Sequence, residues 1–368
     1  MKIVFSTDQT YLHGGTEKVL AEKANYLVRN LGYDVYIITT EQKQKQACYY
    51  LDARIRQIDL GINYHRELSY FHPKNLLKIF KHFKCLKKNI GDIEPDNWVV
   101  CNFAFDFFFI PFIEKGIPKI KEFHGSQFMR RKELNKGSFF KSLLFKIQLK
   151  IEGKYDALVV LNPDEQEYFD SKNTVVIPNP IQIQDSQAKL ENKLVIAAGR
   201  IAPVKGFERL ITAWALVTQK HPDWSLHIFG EDYLETQVRL ESLITELQIQ
   251  DNVEFKGSSS NMTETMLNYS MYLMTSHTEC FPMVLLESLS VGLPIIAFDV
   301  PSGPRNIISN GKDGLLIENN NIKAYAKAIE SLIVDEVLRV KMGRQAKLNS
   351  ASFNQDLVMN MWNNLLSK

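Results

Sequence analysis

Short apolar runs of strand-forming residues alternate with helical segments along the whole chain, and the alternation restarts once. In the amino half the strand runs are Ile3 to Ser6, Val35 to Thr39, Ile55 to Leu60, Trp98 to Phe103, Lys119 to Phe123, Ala157 to Leu161 and Val175 to Ile177. Helical signals fall between them, among them Gly14-Gly15 through Leu31 and Pro73 to Asn89. Strand and helix in alternation predict a parallel sheet covered by helices on both faces. Residues 182–192 are polar with almost no apolar anchor, which predicts a linker. A second series follows, with strands Leu194 to Ala198, Leu226 to Phe229, Val253 to Phe255, Tyr272 to Thr275, Pro294 to Phe298 and Leu315 to Ile317. A chain of 368 residues also exceeds what one core usually supports. The expectation is two doubly wound α/β domains, residues 1–181 and 193–352, joined by the linker.

Composition narrows the setting. The four cysteines are scattered, with no CxxC pair and no metal-ligand cluster, which favours reduced thiols in the cytoplasm. No signal peptide is read at Met1, and no apolar run approaches the ~18–20 residues of a membrane-spanning helix. The net charge is only +2, but the amino half is basic and the carboxyl half acidic, so one half is expected to meet something anionic. Its excess lies in two stretches. Lys74, Lys78, Lys81, Lys84, Lys87 and Lys88 recur among Leu76, Leu77, Ile79, Phe80, Phe83 and Leu86. Arg130, Arg131, Lys132 and Lys136 lead into Phe139, Phe140, Leu143, Leu144, Phe145, Lys146 and Lys150. Basic amphipathic helices with aromatics suit an anionic membrane surface. An outer helix with an ordinary core face reads the same way.

The chemistry concentrates in the carboxyl half. Glu279 and Glu287 flank Cys280-Phe281-Pro282-Met283-Val284-Leu285-Leu286, a stretch long enough to begin a helix with Pro282 at its first position. Glu279 then lies in the feeding loop and Glu287 about a turn and a half inside. Both can face a ligand at the helix N-terminus, where free N–H groups suit a phosphate. A strand ending in Gly199-Arg200 turns through Pro203 and Lys205-Gly206 into a helix from Phe207 to Gln219. That places two cations at the carboxyl edge of a parallel sheet, where open α/β folds bind ligands. Gly14-Gly15 reads either as a tight turn or as a loop permitting close approach of a phosphate or sugar. Glu17 reads either as a favourable acid in a first helical turn or as a site residue. Asp92 to Asp96 has alternating acids but precedes a strand, and reads as a solvated turn rather than a metal site.

Taken together, Gly14-Gly15-Thr16-Glu17, Glu122-Phe123-His124-Gly125, Ile177-Pro178-Asn179-Pro180-Ile181, Gly199-Arg200 to Lys205-Gly206 and Glu279 to Glu287 stand in one order. In that order and spacing the chain resembles the retaining glycosyltransferases of family 4, nearly throughout its length. The resemblance implies a GT-B fold: two Rossmann-like domains facing a central cleft, the first for the acceptor and the second for a nucleotide sugar. It implies a last helix, residues 353–368, that packs back on the first domain. It implies that Arg200 and Lys205 neutralise a departing pyrophosphate, that Glu279 meets the donor sugar, that Glu287 meets the ribose, and that His124 lies beside the sugar. Gly14, Gly15, Gly199, Gly230, Gly257, Phe281, Pro282, Met283 and Val284 would complete the donor site. Asn179 and Pro180 would be a structural feature beside the hinge. Asn306 departs from the pattern, since relatives usually carry glutamate there.

The expectation that follows is a cytoplasmic, peripheral transferase on the inner face of the cell membrane. It would move a hexose or N-acetylhexosamine from a UDP-sugar to a lipid-linked saccharide, with retention, without a metal or other cofactor, and without nucleic acid as a partner. A UDP-sugar epimerase of related fold and a non-catalytic nucleotide-sugar-binding partner are the alternatives. A dehydrogenase is disfavoured because no G-x-G-x-x-G follows the first strand.

Overall fold

A computed structural model describes the chain except for residues 69–71, 102–103, 129–130 and 132–138. It divides into two compact units, Met1–Pro178 with Met359–Lys368, and Asn179–Val358. In each, apolar strands buried at the centre of the sheet account for the fold. Ile3, Val4 and Phe5 are at most 1% exposed, as are Val195, Ile196 and Ala197 in the second unit. Strands buried on both faces need helices on both sides, and parallel connections supply them.

The first unit holds a parallel sheet of β1 (Lys2–Thr7), β2 (Asp34–Thr39), β3 (Arg56–Asp59), β4 (Asn97–Val100), β5 (Lys119–Glu122), β6 (Ala157–Val160) and β7 (Thr174–Val176). Their order is β3-β2-β1-β4-β5-β6-β7. The main helices are α1 (Gly15–Asn30), α2 (Pro73–Ile93) and α3 (Phe139–Glu152). The second unit repeats the plan with β8 (Leu194–Ala198), β9 (Ser225–Phe229), β10 (Val253–Gly257), β11 (Met271–Met274), β12 (Ile295–Asp299) and β13 (Gly314–Glu318), ordered β10-β9-β8-β11-β12-β13. Its helices include α4 (Phe207–Thr218), α5 (Met283–Ser290), α6 (Ile322–Val334) and α7 (Glu336–Ser350). Trp214, Leu210, Phe298 and Tyr325 anchor its core. Strand order reverses between β1 and β4 and again between β8 and β11, and such switch points are where doubly wound sheets bind ligands.

Some boundaries differ from the sequence reading. Residues 182–192 lie within the second unit. Ala188 and Leu190 are buried, the Ala188 N–H donates to the Val291 carbonyl, and Arg339 donates to the Leu190 carbonyl. Polar composition hid this because the anchors are mostly backbone groups. Asn179 also falls in the second unit. The last helix, α8 (Gln355–Leu366), begins in the second unit, and from Met359 it belongs to the first. There Tyr33 donates to Asn363 and Asn97 to the Leu366 carbonyl. Of the strand expected at 98–103, residues 102 and 103 lie outside the described residues.

Candidate functional site

In the second unit three glycines end adjacent strands. The Gly199 N–H donates to the Phe229 carbonyl and the Gly230 N–H to the Gly257 carbonyl. A β-carbon on Gly230 would lie 1.9 Å from the Gly199 carbonyl oxygen, so only glycine lets these strand ends close up. The stem of Lys205 crosses Gly199, its Cε 3.3 Å from where a β-carbon would stand.

After β8 the chain makes one 3₁₀ turn, Pro203–Lys205, and reverses at Gly206, whose φ is +63°. A side chain at 206 would meet the Thr275 carbonyl at 2.3 Å. Thr275 in turn donates its hydroxyl to the Gly206 carbonyl at 2.9 Å. The loop after β8 is therefore clamped to the loop after β11, and the clamp brings Lys205 to Glu279, Nζ to Oε1 2.7 Å. An ammonium has three donors, so this bond leaves two for an anion. Arg200 is exposed and stacks over Tyr233 at 5.4 Å.

Glu279 is held from a third side. Ser302, itself left-handed at φ +65°, donates to the Glu279 carbonyl at 3.4 Å, and a β-carbon on Gly303 would collide with the Glu279 side chain. Asn306, in the same turn, donates to the Ser302 carbonyl at 2.7 Å. Pro282 has extended backbone and stands just outside α5, which starts at Met283, one residue later than expected. Phe281 and Met283 are buried, Val284 is partly exposed, and Glu287 is buried on α5 at 4% exposure. Asn179 donates to the Phe281 carbonyl at 3.4 Å, so it touches the segment between the two glutamates.

In the first unit a cavity of about 290 Å³ opens at the β1/β4 switch point. Thr7, Asp8 and Gln9 leave β1 into its wall, Glu17 comes from the first turn of α1, and His124 and Gln127 follow β5. Glu17 accepts a hydrogen bond from Gln9 and folds back beneath Gly14, where a β-carbon would lie 2.2 Å from its Oε2. A side chain at position 14 would displace the end of the Glu17 side chain. Thr16 and Glu17, rather than the two glycines before them, line the cavity.

His124 stands two residues past the strand end, with Nε2 3.3 Å from Glu122. Glu122 is fully buried and also binds Lys23, which is equally buried and lies over the Trp362 ring at 4.3 Å. Burial alone would raise the Glu122 carboxyl, but Lys23 and His124 reverse this and hold it well below the usual carboxylate range. Neighbouring Lys121 is pushed down by burial, and it donates to the Val100 and Glu122 carbonyls. Asp106 is pushed up by burial and by Asp8. Burial drives the Cys101 thiol up to about 12, so this wall residue stays protonated. Lys23, Asp8, Ser302 and Tyr233 were not singled out from sequence; each matters through a partner distant in the chain.

Among the described residues no group of three or more His, Cys, Asp and Glu side chains converges as a metal cluster.

The model for Glycosyl transferases group 1 matches residues 179–349, and that for Glycosyltransferase Family 4 matches residues 13–185. The chain belongs to the group 1 glycosyl transferases. An uncharacterized glycosyltransferase of Haemophilus influenzae is 28% identical over 96% of each chain. The amylovoran biosynthesis glycosyltransferase AmsD of Erwinia amylovora is 26% identical over all of this chain and 99% of its own. Among solved structures, the pneumococcal O-GlcNAc transferase GtfA in complex with UDP and GlcNAc superposes with a TM-score of 0.78 at 15% identity, over 100% of this chain and 98% of that one. Such likeness shows the fold, which is GT-B: two Rossmann-like units, each with a parallel sheet. As a group 1 glycosyl transferase the chain is an enzyme of glycan synthesis.

Proposed function

We propose that this glycosyltransferase moves a hexose or N-acetylhexosamine from a UDP-sugar to a lipid-linked saccharide during surface polysaccharide assembly, with retention and without a metal. The reading is carried by the Lys205–Glu279 pair at the edge of the second sheet, with Arg200 on the same loop after β8. The bond from sugar to phosphate breaks with charge building on the departing oxygens. Two cations at that edge would stabilise it, which is usually the largest single catalytic contribution. Glu279 would accept from donor sugar hydroxyls, and Glu287 would accept from the ribose. Gly199, Gly230 and Gly257 would let the nucleotide lie against backbone. Attack from the same face, with the leaving phosphate taking the acceptor's proton, needs no protein nucleophile. His124 would hydrogen-bond the sugar through the nitrogen that does not face Glu122.

AmsD is named for amylovoran biosynthesis, and GtfA was solved with UDP and GlcNAc; both support this choice of donor and pathway class. Neither the epimerase nor the non-catalytic alternative gains support from these transferases.

Membrane placement rests on α2. Leu77 and Phe80 are 75% and 70% exposed, and Leu76 and Phe83 also reach solvent, beside exposed Lys74, Lys84, Lys87 and Lys88. An ordinary outer helix would bury those apolar residues. Here Asn75, His82, Leu86, Ile90 and Ile93 form the inward face instead. We place this face on the anionic inner leaflet. Of the second basic stretch, Arg130, Lys132 and Lys136 lie outside the described residues. No helix among the described residues is long and apolar enough to cross a membrane.

The deciding experiment is a thermal-shift panel of nucleotide sugars, since a ligand that binds the folded state raises apparent stability. NMR of the product's anomeric configuration follows with the best donor. A shift with UDP-sugars and a product retaining the donor's configuration is expected. Preference for another nucleotide, or an inverted product, would overturn the assignment.

A further inference from the structure

We infer that the first-unit cavity receives the accepting end of the substrate as an uncharged, polyhydroxylated ring and rejects a phosphate next to the accepting hydroxyl. The inference rests on the transferase reading above and narrows its acceptor.

Its size is one argument. At about 290 Å³ it sits at the small end of ligand pockets, roughly 300–1,000 Å³, which suits a single sugar ring. Its chemistry is the stronger one. Asp8 and Glu17 bring carboxylates to its lining and Thr7 a hydroxyl, while the amides of Gln9 and Gln127 are tied to Glu17, to the Leu12 N–H and to the Gly125 carbonyl and hold the wall in place. Sugar hydroxyls both donate and accept, so they satisfy such a mixed lining, whereas a phosphate only accepts.

A phosphate is held best by lysine or arginine, and Lys121, Lys23 and Arg66 around the cavity are engaged elsewhere, which leaves one ring nitrogen of His124. Lys121 is fully buried and bonds the Val100 and Glu122 carbonyls. Lys23 is spent on Glu122. Arg66 grips Asp8 at 2.7 Å and Glu41 at 2.7 Å. The remaining anion site would be the N-terminus of α1. There the chain has supplied its own anion: the Glu17 carboxylate, folded beneath Gly14. An incoming phosphate would face the carboxylates of Glu17 and Asp8 on the cavity wall.

The test uses the full chain and the UDP-sugar giving the largest thermal shift. UDP release is measured with an alkyl hexoside, with glycerol phosphate or ribitol phosphate oligomers, and with water alone. The hexoside should be used at least roughly 100-fold better than either polyol phosphate, because like charges brought together at an interface are strongly disfavoured. Glu17→Gln should raise the KM for the hexoside about tenfold, the loss of a good hydrogen-bonding partner for a hydroxyl. Equal or better use of a polyol phosphate would overturn the inference, as would an unchanged hexoside KM in Glu17→Gln. Slow UDP release in water shows that the donor site works, so those failures would fall on the acceptor inference alone. No UDP release under any condition would overturn the transferase reading and this inference with it.

Discussion

Lys205 and Glu279 are 74 positions apart in the chain and 2.7 Å apart in space. The pairing joins the Gly-Arg-to-Lys-Gly loop to the acid that opens the Glu279–Glu287 segment. It follows from the clamp between Gly206 and Thr275, which no side chain at 206 would permit.

Arg200→Ala or Lys205→Ala should lower kcat by roughly 10²–10³-fold, the scale of removing one transition-state stabiliser. Both groups are at least partly solvent-exposed, so melting temperature should hardly move. Near-native turnover in both variants would remove them from the chemistry. Activity should also persist in EDTA, and a loss restored by Mg²⁺ or Mn²⁺ would contradict the assignment of the charge to these two side chains.

Glu279→Ala and Glu287→Ala should fail differently. Loss of Glu287 should weaken UDP itself, whereas loss of Glu279 should spare UDP and weaken the intact sugar nucleotide. Calorimetry with UDP and with UDP-sugar separates them. If Glu279→Ala abolishes UDP binding while Glu287→Ala leaves it intact, the two roles are exchanged.

Lys23→Met should destabilise the protein by about 3–5 kcal/mol, because it strands a buried carboxylate without its partner. The pH dependence has a definite sign. Glu122 titrates in the folded state below its unfolded value of about 4.3. Its contribution is therefore complete above that value and is lost as pH falls further, toward the folded value. Stability measured by urea unfolding from pH 6 to pH 3 should decline less steeply in Glu122→Gln than in wild type. Parallel declines would show that the ion pair does not govern acid stability.

Liposome co-sedimentation tests the membrane face. Lys78 and Lys81 donate to the Asn63 and Gly61 carbonyls, so Lys84, Lys87 and Lys88 are the better targets. Each lysine near an anionic surface contributes on the order of 1 kcal/mol, screened by salt. Changing the three to Gln should cut pelleting on anionic lipid at low salt. Leu77→Ser with Phe80→Ser should cut what persists at high salt. Equal pelleting of all three proteins, or none by wild type, would sink the membrane placement.

The architecture is legible along the chain because local periodicity carries it. Ile3-Val4-Phe5 and Val195-Ile196-Ala197 are apolar on both faces, which only a covered parallel strand can use. The sequence also brought out Arg200, Lys205, Glu279 and Glu287, since each lies at a strand end or helix start that local rules locate. What those side chains touch depends on the folded chain. Nothing in the local pattern tells that Lys205 reaches Glu279, that Lys23 neutralises Glu122 beneath Trp362, or that Glu17 occupies the space beside Gly14. Nor could composition reveal that residues 182–192 are held to the second unit through backbone carbonyls. Hydrogen bonds and ion pairs between distant segments depend on register and loop closure, and a sequence read one window at a time carries neither.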